Sequence, residues 1–408
     1  MGHCRICASP LTETFVDLGH SPLANSYLNS EDLHKMEPHY PLHVYVCSKC
    51  FLVQIGEVES PDHIFRDYAY FSSFSASWLE HARAYAEMMV ARFALKQESL
   101  VLEIASNDGY LLRWFQQQGI PVLGVEPAEN VAQVARKRGI PTRAEFFHAG
   151  FASQLQAEGV QADVIAANNV VAHVPNLLEF LKGIQIALKP RGVATLEFPH
   201  VLNLIQQNQF DTIYHEHFSY LSLLSLEKAL AMCELSAFDV ELLPTHGGSL
   251  RVFVRHHADE SKSDGDGLLC ARKKETEAKL HTLDGYADFG KKAVGIKTDV
   301  LTFLIVCQRT GKKIVGYGAP AKGNTLLNYC GVGPELLPFT VDQSPHKAGL
   351  FLPGVHIPIY SPDRLLEERP DYVVILPWNL RDEISQQMSG IRSWGGQFVT
   401  FIPHLEIF

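Results

Sequence analysis

Apolar positions along this chain change their period several times, and each change marks an element. Short alternating runs flank Cys47-Ser-Lys-Cys50 and predict two strands joined by a tight knuckle. A stretch rich in aromatic and hydroxyl side chains, residues 68–81, leads into a helix that runs to about Leu95. From Leu100 the pattern becomes β-α-β. Residues 101–105 read as a buried strand, 110–118 as a helix, 121–126 as a strand and 129–137 as its helix. Residues 163–168 and 192–198 are two more buried strands. A polar, glycine-bearing connector at 259–267 precedes a helical region over about 268–309. Residues 313–318 then open a second β-α-β series, continued by strands at 339–342, 372–376 and 398–402.

Strands alternating with helices imply parallel, doubly wound sheets, with ligands at the carboxyl ends of the strands. The expected architecture is α/β: a small N-terminal module (1–60), a helical and aromatic lead-in (61–97), a Rossmann-like domain (98–258), a helical connector (259–311) and a second Rossmann-like α/β domain (312–408). No short repeat or low-complexity tract interrupts this series.

Composition adds little to the fold but excludes some functions. The 408 residues are 46% apolar and 20% charged, ordinary values for a globular protein. Forty-five acidic against 35 basic residues give a net charge near −10, which argues against nucleic-acid binding. No apolar run approaches the ~18 residues that read as a membrane span, and the N-terminal residues lack a signal-peptide apolar region. No membrane partner and a cytoplasmic location are therefore expected.

Four of the eight cysteines form two pairs, Cys4-x-x-Cys7 and Cys47-x-x-Cys50. Two such knuckles supply four thiolates to one tetrahedral metal, so one structural Zn²⁺ is expected. A closed set of four thiolates leaves no position for water, and about 60 residues have little core of their own. Cys233, Cys270, Cys307 and Cys330 are scattered and read as core positions.

Candidate chemistry lies in the loops. Glu103-Ile-Ala-Ser106-Asn107-Asp108-Gly109 ends the first strand of the middle domain. Many donor sites of this kind carry an acid and three alternate glycines; here only the acid and the last glycine remain. Glu126, followed by Pro127, ends the second strand, where an acid can hold ribose hydroxyls. The lack of GxGxxG favours S-adenosyl-L-methionine over a dinucleotide, because the methyl donor has no pyrophosphate; a degenerate dinucleotide site is the competing reading. Asn168, Asn169 and His173 close the third strand on the same edge. Tyr214-His215-Glu216-His217 gathers four proton-handling groups, and spacing leaves open which histidine acts. His246-Gly-Gly-Ser249 is a turn before a strand. Gly316-Tyr-Gly-Ala-Pro-Ala-Lys322-Gly-Asn324 is a glycine-rich loop suited to a phosphate. Asp342, Trp378 and Asn379 also end strands on the expected ligand edge.

Taken together with Cys-Arg-Ile-Cys, Ser21-Pro-Leu-Ala-Asn-Ser-Tyr27 and the Tyr-x-Tyr-x-Ser-Ser stretch, these motifs resemble the sugar C-methyltransferases of deoxysugar biosynthesis over essentially the whole chain. The resemblance implies a zinc-binding module, a Rossmann-like class I S-adenosyl-L-methionine methyltransferase domain and a C-terminal α/β domain for the sugar nucleotide. It implies that Tyr214, Glu216 and His217 are catalytic, with His217 as base. His173 joins them, with an upstream tyrosine that is Tyr68 or Tyr70. The implied substrate is a dTDP-, GDP- or CDP-linked 4-keto-deoxy sugar, methylated at C3 through an enolate, and the implied state is a monomer or small homo-oligomer. An O- or N-methyltransferase with the same domains is the alternative, and a non-catalytic zinc-ribbon scaffold a further one.

Overall fold

The computed structural model describes residues 2–58, 73 and 76–408. Tyr68 and Tyr70 lie outside the described residues. Three sheets organise the chain. The first is antiparallel and runs in the order β1 (Glu13–Ser21), β2 (Tyr40–Val46), β3 (Val53–Ile55), β9 (Ser219–Tyr220). Its last strand comes from the middle of the chain.

The second sheet takes β4 (Val101–Ile104), β5 (Val122–Val125), β6 (Thr142–Arg143), β7 (Ala162–Asn168), β8 (Leu188–Pro199), β10 (Leu235–Leu243) and β11 (Ser249–His256). Their spatial order is β10-β11-β8-β7-β4-β5-β6. β4, β5, β6, β7 and β8 pair in parallel, whereas β11 runs against both β8 and β10. Strands buried on both faces explain the apolar run at 101–104, broken by the buried Glu103, and the unbroken one at 164–167. Helices Glu129–Lys137 and Leu177–Ala187 each turn a buried stripe toward this sheet.

The third sheet, in the order β14-β13-β12-β15-β16-β17, comprises β12 (Ile314–Tyr317), β13 (Thr340–Val341), β14 (Ile359–Tyr360), β15 (Tyr372–Ile375), β16 (Gln397–Thr400) and β17 (Glu406–Ile407). All its pairs are parallel except β16–β17. The helical region before it is two helices, Asp266–Glu277 and Phe289–Arg309. The connector reading of 259–267 extends too far, because Asp266 already opens a helix.

The N-terminal sheet does not stand alone. Phe15 stacks on Phe289 with ring centroids 4.5 Å apart. Val44, Val53 and Ile55 share a core with Leu304, Leu326 and Leu327 of the C-terminal region. On the other side, the zinc-knuckle residues Cys4, Ile6, Cys47 and Leu52 join the core of the middle sheet. The small module thus gains from its neighbours the apolar burial that its own length cannot supply.

Candidate active site

Each zinc knuckle closes in the same way. The residue after each pair, Ala8 and Phe51, has a positive φ, and its N–H donates to the carbonyl of the first cysteine. The four Sγ atoms lie within 4.8 Å of one another. Zn–S bonds of ~2.3 Å in a tetrahedron put sulfurs ~3.8 Å apart, so the set fits one zinc ion. Gln54 Nε2 donates to Cys4 Sγ at 3.3 Å, and the Lys49 amide to Cys47 Sγ at 3.4 Å.

A cavity of about 660 Å³ opens at the carboxyl ends of β4, β5 and β7. Ala105, Asn107 and Gly109 all have positive φ, at 56°, 49° and 79°. The loop keeps the backbone path of three alternate glycines although two have been replaced. Asn tolerates this region; Ala there costs roughly 1–2 kcal/mol. Glu126 accepts the Asn107 N–H at 2.9 Å and the Ala128 N–H at 3.0 Å, so it ties this loop to the end of β5. Burial raises its pKa.

Asn107, Glu126, Pro127, Asn168 and Asn169 line the cavity. Asn168 Oδ1 and both polar side-chain atoms of Asn169 are buried with no partner among the described residues. Such orphaned groups suit a polar ligand. Glu103, Ser106, Asp108 and Gly109 instead build the loop from behind. Burial, then the charges of Glu126 and Asp108, hold Glu103 well above the ordinary carboxylate range. Asp108 accepts from Arg138 Nη1 at 2.8 Å, and Gly109 leaves no room for a Cβ, which would meet Ile140 at 2.8 Å. These residues fit an S-adenosyl-L-methionine site, with Glu126 and Asn169 on its wall.

Tyr214, Glu216, His173 and His246 face the same cavity. His217 stands behind Tyr214. Its Nδ1 lies 3.0 Å from the Thr212 carbonyl, which can only accept, so Nδ1 carries the proton. Nε2 is then an acceptor, and the Tyr214 hydroxyl donates to it at 3.0 Å. Burial, followed by the nearby His173, holds His217 well below the usual histidine pKa, so its ring is neutral. His173 donates from Nδ1 to the Glu216 carbonyl at 2.8 Å, and its ring meets that of His217 edge-on at 4.6 Å. Burial lowers its pKa to about 4. Glu216 accepts from Asn25 Nδ2 at 2.7 Å, and burial lifts its pKa to about 7. His215 turns the other way and donates to the Pro41 carbonyl at 3.2 Å. The turn that brings the His217 N–H back to the Tyr214 carbonyl separates the two histidines.

The C-terminal region supplies the opposite wall with Pro320, Ala321, Lys322 and Lys347. Lys322 is the second residue of the helix Ala321–Cys330, lies over the Trp378 ring at 4.7 Å and donates to Asn379 Oδ1 at 2.6 Å. Asn379 is not on the cavity wall itself and reaches it only by holding Lys322. Trp378 is not stacked on the cavity; its Nε1 donates to the buried Asp211 at 2.7 Å. Asn324 is used in packing, donating to the Ala24 carbonyl at 2.5 Å. Ser249 bonds the Thr245 carbonyl beside a different groove, and Asp342 accepts the Ala319 amide at 2.7 Å. Loop, turn or strand-end position suggested all four as ligand contacts, but neighbouring segments take the Trp378 indole N–H, the Asn324 amide N–H, the Ser249 hydroxyl and an Asp342 carboxylate oxygen. Sequence reasoning missed Asn25, Trp78, Tyr110 and Lys347 on the cavity wall. Asn25, Trp78 and Tyr110 carried a signal, by their places in the Ser21–Tyr27 motif, the aromatic stretch and the donor-loop motif; Lys347 carried none.

Three family models match the chain in series: a zinc binding domain over residues 4–65, a methyltransferase domain over 78–235 and a C-methyltransferase C-terminal domain over 244–403. The C-methyltransferase NovU of Streptomyces niveus is 35% identical over 405 residues, covering 99% of this chain and 96% of its own. Among solved structures, the magnesium protoporphyrin IX methyltransferase ChlM of Synechocystis PCC 6803 with bound SAH matches 43% of this chain and 83% of its own, at 16% identity and a TM-score of 0.36. The CcbJ methyltransferase of Streptomyces caelestis matches 43% and 90%, at 14% identity and a TM-score of 0.35. With scores this low, the assignment rests on the sequence relative and the family models. The chain belongs to the C-methyltransferase family, as an S-adenosyl-L-methionine-dependent enzyme with an N-terminal zinc-binding domain, a Rossmann-like methyltransferase domain and a C-terminal α/β domain.

Proposed function

We propose that this enzyme C-methylates a 4-keto-deoxy sugar nucleotide at C3, in the cytoplasm, for branched deoxysugar synthesis. The observation that carries this reading is the Tyr214–His217 hydrogen bond, with its tyrosine end on a cavity shared by the donor loop and two lysines. A keto group at C4 acidifies the C3 proton. Tyr214 takes that proton as its own passes to His217 Nε2; the imidazole keeps its Nδ1 proton on the Thr212 carbonyl. Glu216, still partly protonated near neutrality, donates a hydrogen bond to the C4 oxygen as it becomes an enolate. His173 fixes the backbone at Glu216. The bound donor supplies an electrophilic sulfonium methyl for the enolate carbon.

Lys322, Lys347 and the amides at the start of the helix Ala321–Cys330 suit the diphosphate of the sugar nucleotide. Lys347 is tethered to the Ala319 carbonyl at 2.8 Å and lies 3.9 Å from Asp342. Burial lowers the pKa of both lysines, opposed by Asp211 for Lys322 and by Asp342 for Lys347. An incoming anion would relieve that cost.

The test is a panel of dTDP-, GDP- and CDP-linked 4-keto-6-deoxy sugars with isotopically labelled donor, the product methyl being located by NMR. A methyl on C3 is expected. In deuterated water with a non-transferring donor analogue, C3 hydrogen should exchange in the wild type and not in His217→Asn. A methyl on oxygen or nitrogen with the C3 hydrogen retained would replace this reading with O- or N-methylation.

A further inference from the structure

The segment that carries Tyr214 and His217 is built into the zinc module. Its end, β9, is the fourth strand of the zinc-module sheet, with Tyr220 opposite Val53. Side chains and carbonyls of that module hold three of its residues. Pro41 O accepts from His215, Asn25 donates to Glu216, and Arg5 donates to the Phe218 carbonyl. His217 lies between the last two.

Arg5 is the least expected of these. It sits inside the first knuckle, between Cys4 and Cys7, where surface side chains are common. Instead its Nη1 donates to the Ile55 carbonyl at 2.7 Å and the Phe218 carbonyl at 3.1 Å, and its guanidinium lies over the Phe218 ring at 5.5 Å. Its backbone N–H meets Gln54 Oε1 at 3.0 Å, while Gln54 Nε2 reaches Cys4 Sγ. The Phe218 carbonyl already accepts the Ile55 N–H at 3.2 Å, so strand pairing does not need Arg5. The Phe218 N–H is fixed from the other side by the Ala172 carbonyl at 2.8 Å, next to His173. Phe218, the residue beside His217, is therefore held at both its N–H and its carbonyl, the carbonyl by a residue that sits inside the first cysteine knuckle.

We propose that the first zinc knuckle positions the proton-transfer pair through Arg5. The four thiolates fix the knuckle, Arg5 carries that fixed point to the Phe218 carbonyl, and the His217 ring is thereby held against the Tyr214 hydroxyl. Arg5 touches no substrate in this scheme; it is a positioning residue, and the proposal rests on Tyr214 and His217 being the proton-transfer pair. A displacement of ~1 Å at such a pair can cost up to ~10²-fold in rate.

The test uses the full-length, zinc-loaded enzyme with Arg5→Met, which keeps the aliphatic stem, and Arg5→Lys, which keeps one cationic donor. Four quantities are measured: zinc per chain, donor affinity by calorimetry, kcat and KM for the sugar nucleotide, and the ¹⁵N signals of His217. Arg5→Met should retain its zinc and donor affinity, lose roughly 10–100-fold in kcat with KM within about twofold, and shift the His217 ring signals. Arg5→Lys should recover part of kcat. A zinc-loaded Arg5→Met enzyme with unchanged kcat and unchanged His217 signals would overturn the proposal. So would equal losses of zinc, donor affinity and rate in both variants, which would make Arg5 a residue of the general fold. If His217→Asn proves fully active, the proton-transfer reading fails by itself. The His217 signals of Arg5→Met still report whether the knuckle holds the loop.

Discussion

A double-mutant cycle on Tyr214 and His217 tests whether they form one proton path. The hydroxyl lies on the cavity wall and its proton points 3.0 Å away to His217 Nε2, with the rings 4.1 Å apart. Two groups in series fail together. Removing a general base costs ~10²–10⁴-fold, or about 2.7–5.4 kcal/mol at 1.36 kcal/mol per decade. Tyr214→Phe and His217→Asn should each fall in that range. The double variant should fall no further, giving a coupling energy as large as one whole single effect. Independent groups would instead multiply to ~10⁴–10⁸-fold. Rates should be taken from single turnovers at saturating donor, so that binding and release drop out. An additive double variant would refute the series arrangement. A fully active Tyr214→Phe would place the base elsewhere, with Glu216 the next group on the wall.

Three further outcomes are expected. Metal analysis should find one zinc per chain, and Cys47→Ser should bind less and melt lower; equal melting would refute a structural zinc. Glu126→Ala should weaken donor binding by ~10–100-fold, the worth of charge-assisted hydrogen bonds, and change the saturated rate far less; unchanged affinity in calorimetry would contradict this. Burial lifts the Glu216 pKa from 4.5 to about 7, so the folded state binds this proton more tightly than the unfolded one. Its contribution to stability is present below pH ~4.5 and is lost as pH rises through about 7, by about 3 kcal/mol at most. Glu216→Gln should therefore gain stability relative to wild type at pH 8 compared with pH 5. Wild-type kcat should fall above pH 7 as Glu216 loses its proton, and that fall should flatten in the same variant, because the amide donates at every pH.

Strongly apolar strands were legible because burial on both faces favours continuous runs; β5, β12 and β15 follow that rule, and β4 and β7 do so apart from Glu103 and from Asp163 and Asn168. The two-residue strands β6 and β14 carry too little pattern to be bounded, whereas β13 falls inside the strand read at 339–342. β9 is hidden for another reason, since its partner is far away in sequence. The donor loop was legible in position but not in geometry: Ala105 and Asn107 look like departures, yet their φ values keep the glycine path. His215 and His217 are chemically equal on paper, and a tight turn sends their rings to different partners. Asn324 shows the limit of loop reasoning and Trp378 that of strand-end reasoning, because partners from other segments had already claimed their N–H donors.

The joining of β9 to β3 also has a consequence for synthesis. The chain leaves the ribosome from its N-terminus, so both cysteine pairs and β3 emerge long before Ser219 and Tyr220. Until then the backbone edge of β3 that β9 will occupy has no strand beside it, and a bare edge invites pairing with another chain. Zinc can gather the knuckles early, but closing the sheet waits for the middle domain to be made. A fragment ending near residue 60 carries that open edge permanently. The cell meets the same hazard for a limited time on every round of translation.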